Sequence, residues 1–339
     1  MKKSQRLAAV LLILLMLCGC SMPATPNTVV LPQTPAENHT ESAPASAEPA
    51  QTTPETNAFH LEYEQTALPE PLSSVTALAM LEETLLLGGV SETGLALVRL
   101  TPEGRSEELP LPGSTEYLYA LCPDGAGGAW LLCGSLPKGY FDAFGNFRFL
   151  SQEPEGKLAL AHYDAAFALQ EIVLLQTLYT DRFFQLRRLD GGFCMMSASL
   201  LVRLDETGAE TARQSLDAKD GWSFAAMQET DGVLYALTRN FYGIELPELR
   251  KFTPDTLSAL ESDVCTSEIT GLGLRADGRL LMGNSEELFA YDTGSGETET
   301  LVRWQEIGAN VLTEQPWELE DGYLLFSPGD TSLQRLRRV

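Results

Sequence analysis

The sequence predicts an all-β fold, a β-propeller of six four-stranded blades, or of seven if Phe59–Leu68 forms strands of its own instead of completing the last blade. Two observations carry this prediction. A hydrophobic strand followed by a polar turn recurs along residues 58–339, and short Asp-Gly turns separate β-rich runs within the repeats. Sustained helical periodicity is confined to the N-terminal segment, so the repeating part is expected to contain strands alone.

The N-terminus has the pattern of an export signal. Lys2, Lys3 and Arg6 precede an unbroken apolar run, Leu7–Leu17, which is too short to span a bilayer. The tetrad that ends the run, Leu17-Cys18-Gly19-Cys20, resembles the bacterial lipobox, and this resemblance implies cleavage before Cys20 and diacylation of its sulfur. We therefore expect residues 1–19 to be a signal peptide and Cys20 to anchor the protein on the extracytoplasmic face of the cell membrane.

The next segment, residues 20–57, consists mainly of Pro, Thr, Ala, Ser and Glu. Such a composition buries too little apolar surface to offset the entropy of ordering the chain, so we expect a disordered tether. Its prolines favour extended stretches, which would hold the folded part away from the lipid surface.

The period of the repeat predicts the blades. Each repeat ends in a large hydrophobe followed by a polar turn, and these anchors are Leu100, Tyr163, Leu204, Phe252, Tyr291 and Leu336. Their spacings are 63, 41, 48, 39 and 45 residues. Periods of about 40 to 50 residues with four short strands are typical of propeller blades. The main alternative, a β-sandwich, would not impose so constant a period.

A hydrophobic strand that follows an acidic or glycine turn precedes each anchor. The Asp-Gly pairs among these turns are Asp124-Gly125, Asp190-Gly191, Asp231-Gly232, Asp277-Gly278 and Asp321-Gly322. Asp-Gly supplies the positive φ that a type I′ hairpin turn requires, so we predict tight hairpins at these five positions.

Two stretches carry resemblances to known families. The unit Leu288–Gly294 looks like the repeats of PQQ-like propellers, but the sequence lacks the Trp that closes that family's repeat, so no cofactor is expected. The order of lipobox, tether and propeller, with Leu301-Val302-Arg303-Trp304, Ile307, Asn310, Val311 and Asp321-Gly322, resembles the N-terminal part of clostridial-type extracellular solute-binding lipoproteins. The second resemblance implies a role accessory to an ABC-type solute uptake system.

Charge and residue counts disfavour several functions. The chain has 23 basic and 47 acidic residues, a formal charge of −24, which repels nucleic acids. Cys122, Cys133, Cys194 and Cys265 lack metal-site spacing, and we favour free buried thiols over disulfides. The three histidines, two of them in or beside the tether, do not suggest a catalytic triad or a metal site. We expect no metal and no catalytic residue.

Aromatic loops supply the candidate binding surface. In a propeller, the loops joining the second to the third strand of a blade share one face with the loops between blades. Two such second-to-third loops are rich in aromatic residues, residues 136–155 and 240–248, and two connections between blades add tryptophans. The predicted ligand-binding residues are Tyr140, Phe141, Phe144, Phe241, Tyr242, Trp222 and Trp304. Exposed aromatics bind sugar rings or a partner's apolar side chains, although packing of the longer loop on its own blade would also explain them.

The function expected from the sequence is binding and not catalysis. The protein would be a monomeric, lipid-anchored recognition module whose aromatic loops bind a protein or a carbohydrate. Two alternatives remain open: an enzyme that acts on wall glycans through carboxylates at the channel mouth, and a scaffold for an envelope assembly.

Overall fold

The computed structural model describes residues 61–339 apart from Glu83, Ser114, 142–146, 151–155, 218–219, Phe241, Ile244, Thr266, Asn310 and Leu312. The side chains of Tyr140, Phe141, Phe147 and Phe149 also lie outside the description, as do the predicted signal peptide, Cys20 and the tether. The regular structure of the described residues is β, and none of them forms a helix with the length and apolar character needed to cross a bilayer.

The strands form six four-stranded sheets. The first strand is β1 (Leu61–Ala67). Blade 1 contains β2 (Leu72–Leu81), β3 (Thr84–Ser91), β4 (Gly94–Leu100) and β5 (Ser106–Leu109). Blade 2 contains β6 (Tyr117–Pro123), β7 (Ala129–Gly134), β10 (Leu158–Tyr163) and β11 (Leu169–Leu174), with the separate hairpin β8 (Gly139–Phe141) and β9 (Phe147–Phe149) between β7 and β10.

The remaining blades follow in chain order. Blade 3 contains β12 (Phe183–Leu189), β13 (Gly192–Ser197), β14 (Leu200–Asp205) and β15 (Glu210–Ser215). Blade 4 contains β16 (Trp222–Thr230), β17 (Val233–Asn240), β18 (Glu248–Phe252) and β19 (Asp263–Val264). Blade 5 contains β20 (Ile269–Leu274), β21 (Leu280–Asn284), β22 (Glu287–Tyr291) and β23 (Thr298–Arg303). Blade 6 contains β24 (Gln315–Leu319), β25 (Gly322–Phe326) and β26 (Ser332–Arg338).

The fourth strand of blade 6 is β1, which pairs antiparallel with β26 over seven residues, from Leu61 opposite Arg338 to Ala67 opposite Ser332. Side chains reinforce the pairing, because the Tyr63 hydroxyl donates to Gln334 and the Gln65 amide donates to Ser332. The propeller prediction is therefore confirmed with six blades, and the seventh blade is not formed because the N-terminal strand completes the last one.

The core is a ring of layers between neighbouring blades. The six clusters of buried hydrophobic residues each join two adjacent blades, and the last also takes in Leu61 of β1. The layer between blades 2 and 3, for example, contains Trp130, Leu160, Phe193 and Val202. Each blade is thus covered on both faces by its neighbours. Because the core is divided into these layers, residues 61–339 can form a single domain.

Hydrogen bonds also join the innermost strands. In five of the blades the register of the first strand shifts by one residue near its start, as a β-bulge produces. In blades 1 and 5 the extra residue is a threonine. Thr76 Oγ1 donates to the carbonyl of Leu118 in blade 2 at 3.1 Å, and Thr270 Oγ1 donates to Thr313 of the next blade at 3.2 Å. Bulged residues of these two strands therefore connect adjacent blades.

The repeat anchors all lie at equivalent positions. Each falls at or near the end of the third strand of its blade, on β4, β10, β14, β18, β22 and β26. The one long spacing, 63 residues between Leu100 and Tyr163, spans the inserted β8–β9 hairpin. The period is therefore regular except where a blade carries an extra hairpin.

The Asp-Gly turns join the first and second strands of blades 2 to 6, as the sequence predicts, but their turn type differs from the prediction. Both central residues have positive φ only in Asp231-Gly232, where φ is 51° and 71°. At the other four turns the glycine alone has positive φ. The type I′ prediction is wrong for those four. The loops at Asp124-Gly125 and Asp277-Gly278 have five residues. The other two loops have two residues, but in Asp190-Gly191 the glycine alone has positive φ, and Gly322 lies after its loop rather than in it.

Candidate functional site

The predicted aromatic-loop face is only partly formed by exposed rings. Tyr242, in the second-to-third loop of blade 4, is 67% exposed, and its ring lies against Gly221. Trp222 is half-buried at the start of β16, with the Arg250 guanidinium 5.5 Å from its ring centroid. Because Trp222 pairs with Asn240, two residues before Tyr242, the two rings belong to one loop cluster.

Trp304 does not belong to that surface. It is 2% exposed, packs in the layer between blades 5 and 6, and donates its indole N–H to the Asn284 carbonyl at 2.8 Å. The prediction that Trp304 binds a ligand is therefore wrong, since a buried indole with a satisfied N–H is a core residue. The aromatic side chains at the entry to blade 3, Tyr179 before β12 and Phe183 at its first position, are also buried.

The other predicted site residues are placed only in part. Tyr140 and Phe141 lie on β8 in the hairpin that blade 2 inserts, so the backbone of the long aromatic loop forms a small sheet of its own. Phe144 and Phe241 lie outside the described residues. That these rings and Tyr242 form one binding surface stays a prediction.

A central cavity lies on the opposite side of the propeller. Its volume is about 610 Å³, and each of the six blades contributes a wall residue, all of them in or just after the first strands: Met80, Pro123, Arg187, Gln228, Leu274 and Trp317. These residues lie towards the loops that join first to second strands, whereas the aromatic loops join second to third strands. The cavity is therefore the channel entrance on the face away from the aromatic loops.

Arg187 is the most unusual residue of the cavity. Its guanidinium carbon lies 5.7 Å from the centroid of the Trp317 ring, and its Nη1 donates to the Leu186 carbonyl at 3.1 Å. Burial lowers the pKa of its guanidinium, and an arginine side chain stays charged in proteins. Within the part of the chain that is described, no carboxylate lies within 4 Å of Arg187.

A second charged group on the wall is paired. Glu318 is 14% exposed, accepts the backbone N–H of Ala276 at 2.8 Å, and lies 3.5 Å from both Arg275 and Arg338. Arg275 also lies within 4 Å of Asp277 and Glu299. The one half-buried acid of the wall is thus neutralised by guanidinium groups, which leaves Arg187 as the cation without a counter-charge.

His162 forms a pair elsewhere. Its Nε2 lies 2.9 Å from Oδ2 of Asp124, and its ring stacks on Trp130 with 4.4 Å between centroids. Burial opposes ionisation of Asp124, but hydrogen bonds from His162 and from the backbone N–H groups of Ala126 and Gly128 outweigh it and lower the pKa of the carboxyl. The pair holds the first turn of blade 2, and the described residues contain no group of three potential metal ligands.

The cysteines are separate thiols. Cys122, Cys133 and Cys194 are buried in strands, and burial raises the pKa of each thiol, to about 12 for Cys122 and Cys194 and to about 11 for Cys133. Cys265 is half-buried, and burial raises its pKa to about 11. Cys122 faces Trp130 and Cys133 faces Leu118 across one hairpin, so they are not opposite each other. Protonated buried thiols of this kind pack as small hydrophobes.

Two carboxyl groups stand out beside β24 and β26. Burial, the largest cause, raises the pKa of Glu314, the charge of Asp330 raises it further, and Arg239 partly offsets the rise. Burial also raises the pKa of Asp330, although hydrogen bonds from Ser327 and Gln334 partly oppose it. Both groups therefore hold their protons more tightly than exposed carboxyls do.

Substituting Glu314 by Gln is expected to stabilise the protein at neutral pH by about 1 kcal/mol, a size usual for stabilising single substitutions. Because the pKa of Glu314 is raised on folding, the native state binds this proton more tightly than the unfolded state, and stability falls as pH rises through the folded pKa. The gain should therefore vanish at pH 4. Thermal unfolding at both pH values tests this, with the exposed Glu171→Gln as the control; equal gains at pH 4 and pH 7 would contradict it.

The sequence contained a signal for the cavity that periodicity alone does not reveal. The second half of the first strand is apolar in blade 1, where it reads Leu78-Ala79-Met80, but it is charged or bulky in Leu186-Arg187-Arg188 and Pro316-Trp317-Glu318. Blade 4 likewise has Gln228-Glu229 there. Charged residues in the innermost strands of a propeller lie next to the central channel. Aligning the six first strands by the turns that follow them would have pointed to Arg187.

Comparison with known proteins gives folds alone. No family model and no curated protein matches the chain. Among solved structures, it is similar to virginiamycin B lyase from Staphylococcus aureus, at 9% identity and a TM-score of 0.48, covering 83% of this chain and 100% of that one. It is also similar to the WD40 domain of Neurospora crassa Pan2, at 11% identity and a TM-score of 0.47, covering 82% and 95%. A third is the extracellular domain of a one-component system from B. thetaiotaomicron, at 12% identity and a TM-score of 0.45, covering 81% and 40%.

Proposed function

We propose that this propeller is a non-catalytic binding module that takes up a small molecule in its central cavity. The observation that carries the proposal is the cavity itself, about 610 Å³ in volume, with walls from all six blades. Ligand sites are usually concave and largely apolar, with few polar groups, and most fall between about 300 and 1,000 Å³. The cavity has a volume in that range and a mainly apolar lining, and its polar groups include Arg187, Gln228 and Glu318. The described part of the aromatic-loop face, in contrast, offers one strongly exposed ring, Tyr242.

Several features support binding over catalysis. Glu318, the half-buried acid of the cavity wall, is engaged by Arg275 and Arg338 and accepts a backbone N–H, so its oxygens already have partners within the fold. The described histidine, His162, is hydrogen-bonded to Asp124 and stacked on Trp130. These contacts fix the most reactive side chains in structural roles.

The experiment compares the small molecules that the unsubstituted protein and its variants retain from growth medium. Purified protein is incubated with a small-molecule extract of growth medium, washed and denatured, and the released molecules are identified by mass spectrometry. Gln228→Trp should lose the retained molecule because the indole fills the cavity, and Gln170→Trp, on the exposed outer edge of blade 2, should keep it. A molecule that both variants keep, or that Tyr242→Ala alone loses, would overturn binding in the cavity.

The place of action that we propose is the outer surface of the cell membrane, reached through the lipid on Cys20 and the tether of residues 20–57. A function accessory to an ABC-type uptake system fits this position, because a tethered module can collect a solute near its permease. Cys20→Ser should release the protein from membranes into the medium, as cell fractionation would show. Retention of Cys20→Ser in the membrane fraction would contradict the anchor, and Cys18→Ser is the matched control.

Hydrolysis of wall glycans is a second candidate, which Glu314 and Asp330 favour. A pair of carboxyls with raised pKa is the type of arrangement that supplies a general acid in glycoside hydrolysis. Turnover of peptidoglycan fragments by the purified protein that is lost in Glu314→Gln would support this function over simple binding.

A further inference from the structure

Arg187 carries a positive charge that the fold itself does not neutralise. In the described residues it has no carboxylate within salt-bridge distance, and one of its N–H groups donates to Leu186. No nitrogen of Arg187 is among the buried side-chain atoms that lack a hydrogen-bond partner. The N–H groups that do not bond to Leu186 therefore face the open space of the cavity, which Arg187 lines. A half-buried guanidinium that keeps free donors favours a partner that brings acceptors and negative charge.

Part of the cavity wall is apolar. Met80, Pro123, Leu272 and Leu319 line the cavity, and the Trp317 ring lies 5.7 Å from the guanidinium carbon. A flat cation next to an indole face provides both a site for an anion and a surface for an apolar body. The wall therefore has two chemically distinct parts that are close together.

The half-buried acid of the cavity wall does not pair with Arg187. Glu318 is bound to Arg275, Arg338 and the Ala276 N–H, all within 3.5 Å. Among the residues that line the cavity, three are arginines (Arg187, Arg275 and Arg338) and two are glutamates (Glu318 and Glu320). In the described part of the chain, Arg187 is the lining arginine without a carboxylate within 4 Å. An unpaired guanidinium in a half-buried cavity favours ligands that carry a negative charge.

We propose that the cavity binds a small organic anion whose carboxylate pairs with Arg187 while its apolar body lies along Trp317 and the hydrophobic wall. The inference rests on the proposed function, since it names the ligand class for the same cavity. Bidentate pairing of a carboxylate with a guanidinium provides direction as well as charge neutralisation. Neutral analogues lack that pairing and should bind more weakly.

The test uses two carboxylates and their neutral amides. Calorimetry measures binding of 1-naphthoate against 1-naphthamide, and of octanoate against octanamide, to the full chain. We expect at least one carboxylate to bind about tenfold or more tightly than its amide, the ratio typical of one charge-assisted hydrogen-bonded contact. Equal affinities of acid and amide in both pairs would overturn the proposal.

Variants assign the effect to Arg187. Arg187→Met should lose about tenfold or more of the carboxylate affinity and keep that of the amide, which also reports that the cavity is intact. Arg182→Met is the matched control, because Arg182 is exposed, lies 5.6 Å from the Tyr117 ring, and is outside the cavity. Carboxylate binding unchanged in Arg187→Met would overturn the proposal.

A second variant and a comparison of the two binding experiments cover the remaining outcomes. If Arg187→Met fails to fold, Arg187→Lys retains a charge without the planar fork and should weaken carboxylate binding by severalfold, and an unchanged affinity would overturn the proposal. If neither carboxylate binds while the protein still retains a molecule from medium that Gln228→Trp loses, the anion inference fails and the proposed function stands. If nothing binds in either experiment, the proposed function fails as well.

Discussion

Deleting Leu61–Ala67 should lower the free energy of unfolding by about 3 kcal/mol or more, the size expected when several ladder hydrogen bonds and a buried leucine are lost together. The strand β1 pairs with β26 along seven residues and places Leu61 in the layer between blades 5 and 6. Without it, β26 becomes an open edge with the buried side chains of Leu333 and Leu336 nearby. An open edge pairs with other chains, so the variant should also self-associate.

Guanidinium denaturation and size-exclusion chromatography of a chain that begins at Ser21 measure both effects. Deletion of seven tether residues, 41–47, is the length-matched control and should leave the midpoint unchanged. A synthetic peptide of residues 59–68 should restore the midpoint of the strand-deleted protein, because it can occupy the vacant position beside β26. Equal midpoints for the strand deletion and the tether deletion would show that β1 does not close the ring.

The same strand shows how far the sequence predicts the fold. Regular spacing of the anchors identified the six third strands, since local hydrophobic patterning and turns repeat within each blade. The number of blades stayed open between six and seven because it depends on the partner of β1, and that partner, β26, lies at the other end of the chain. Local sequence does not encode a pairing of that kind.

The candidate site was less predictable than the fold. Aromatic composition in loops suggested an exposed surface, but exposure depends on packing: Trp304 is covered by the blade 5–6 layer and finds an acceptor in Asn284. The cavity depends on six short strands from distant parts of the chain, so Arg187 and Trp317 become neighbours only after the ring closes. The sequence marks each residue as unusual for its strand, but it does not show that the two side chains meet.

Substituting Gly273 by Ala should be the most damaging single change beside the cavity, at about 3 kcal/mol of stability, because overpacked sites that cannot relax fall at the upper end of such effects. A Cβ at Gly273 would overlap the backbone carbonyl oxygen of Pro316 in blade 6. Backbone cannot rotate away as a side chain can, so β20 and β24 would have to separate. Separation would displace Trp317, which follows Pro316, and we expect carboxylate binding to fall with stability.

Two glycines give a graded comparison for this prediction. Gly113→Ala adds a methyl group with no heavy atom within 4 Å and should cost little. Gly283→Ala meets the Thr313 methyl group at 3.0 Å, a side-chain contact that can yield, and should fall between the two. Thermal and chemical unfolding of the three variants therefore separates backbone overlap from the loss of a glycine as such. If Gly273→Ala proves no less stable than Gly113→Ala, blades 5 and 6 do not approach as closely as the structure shows.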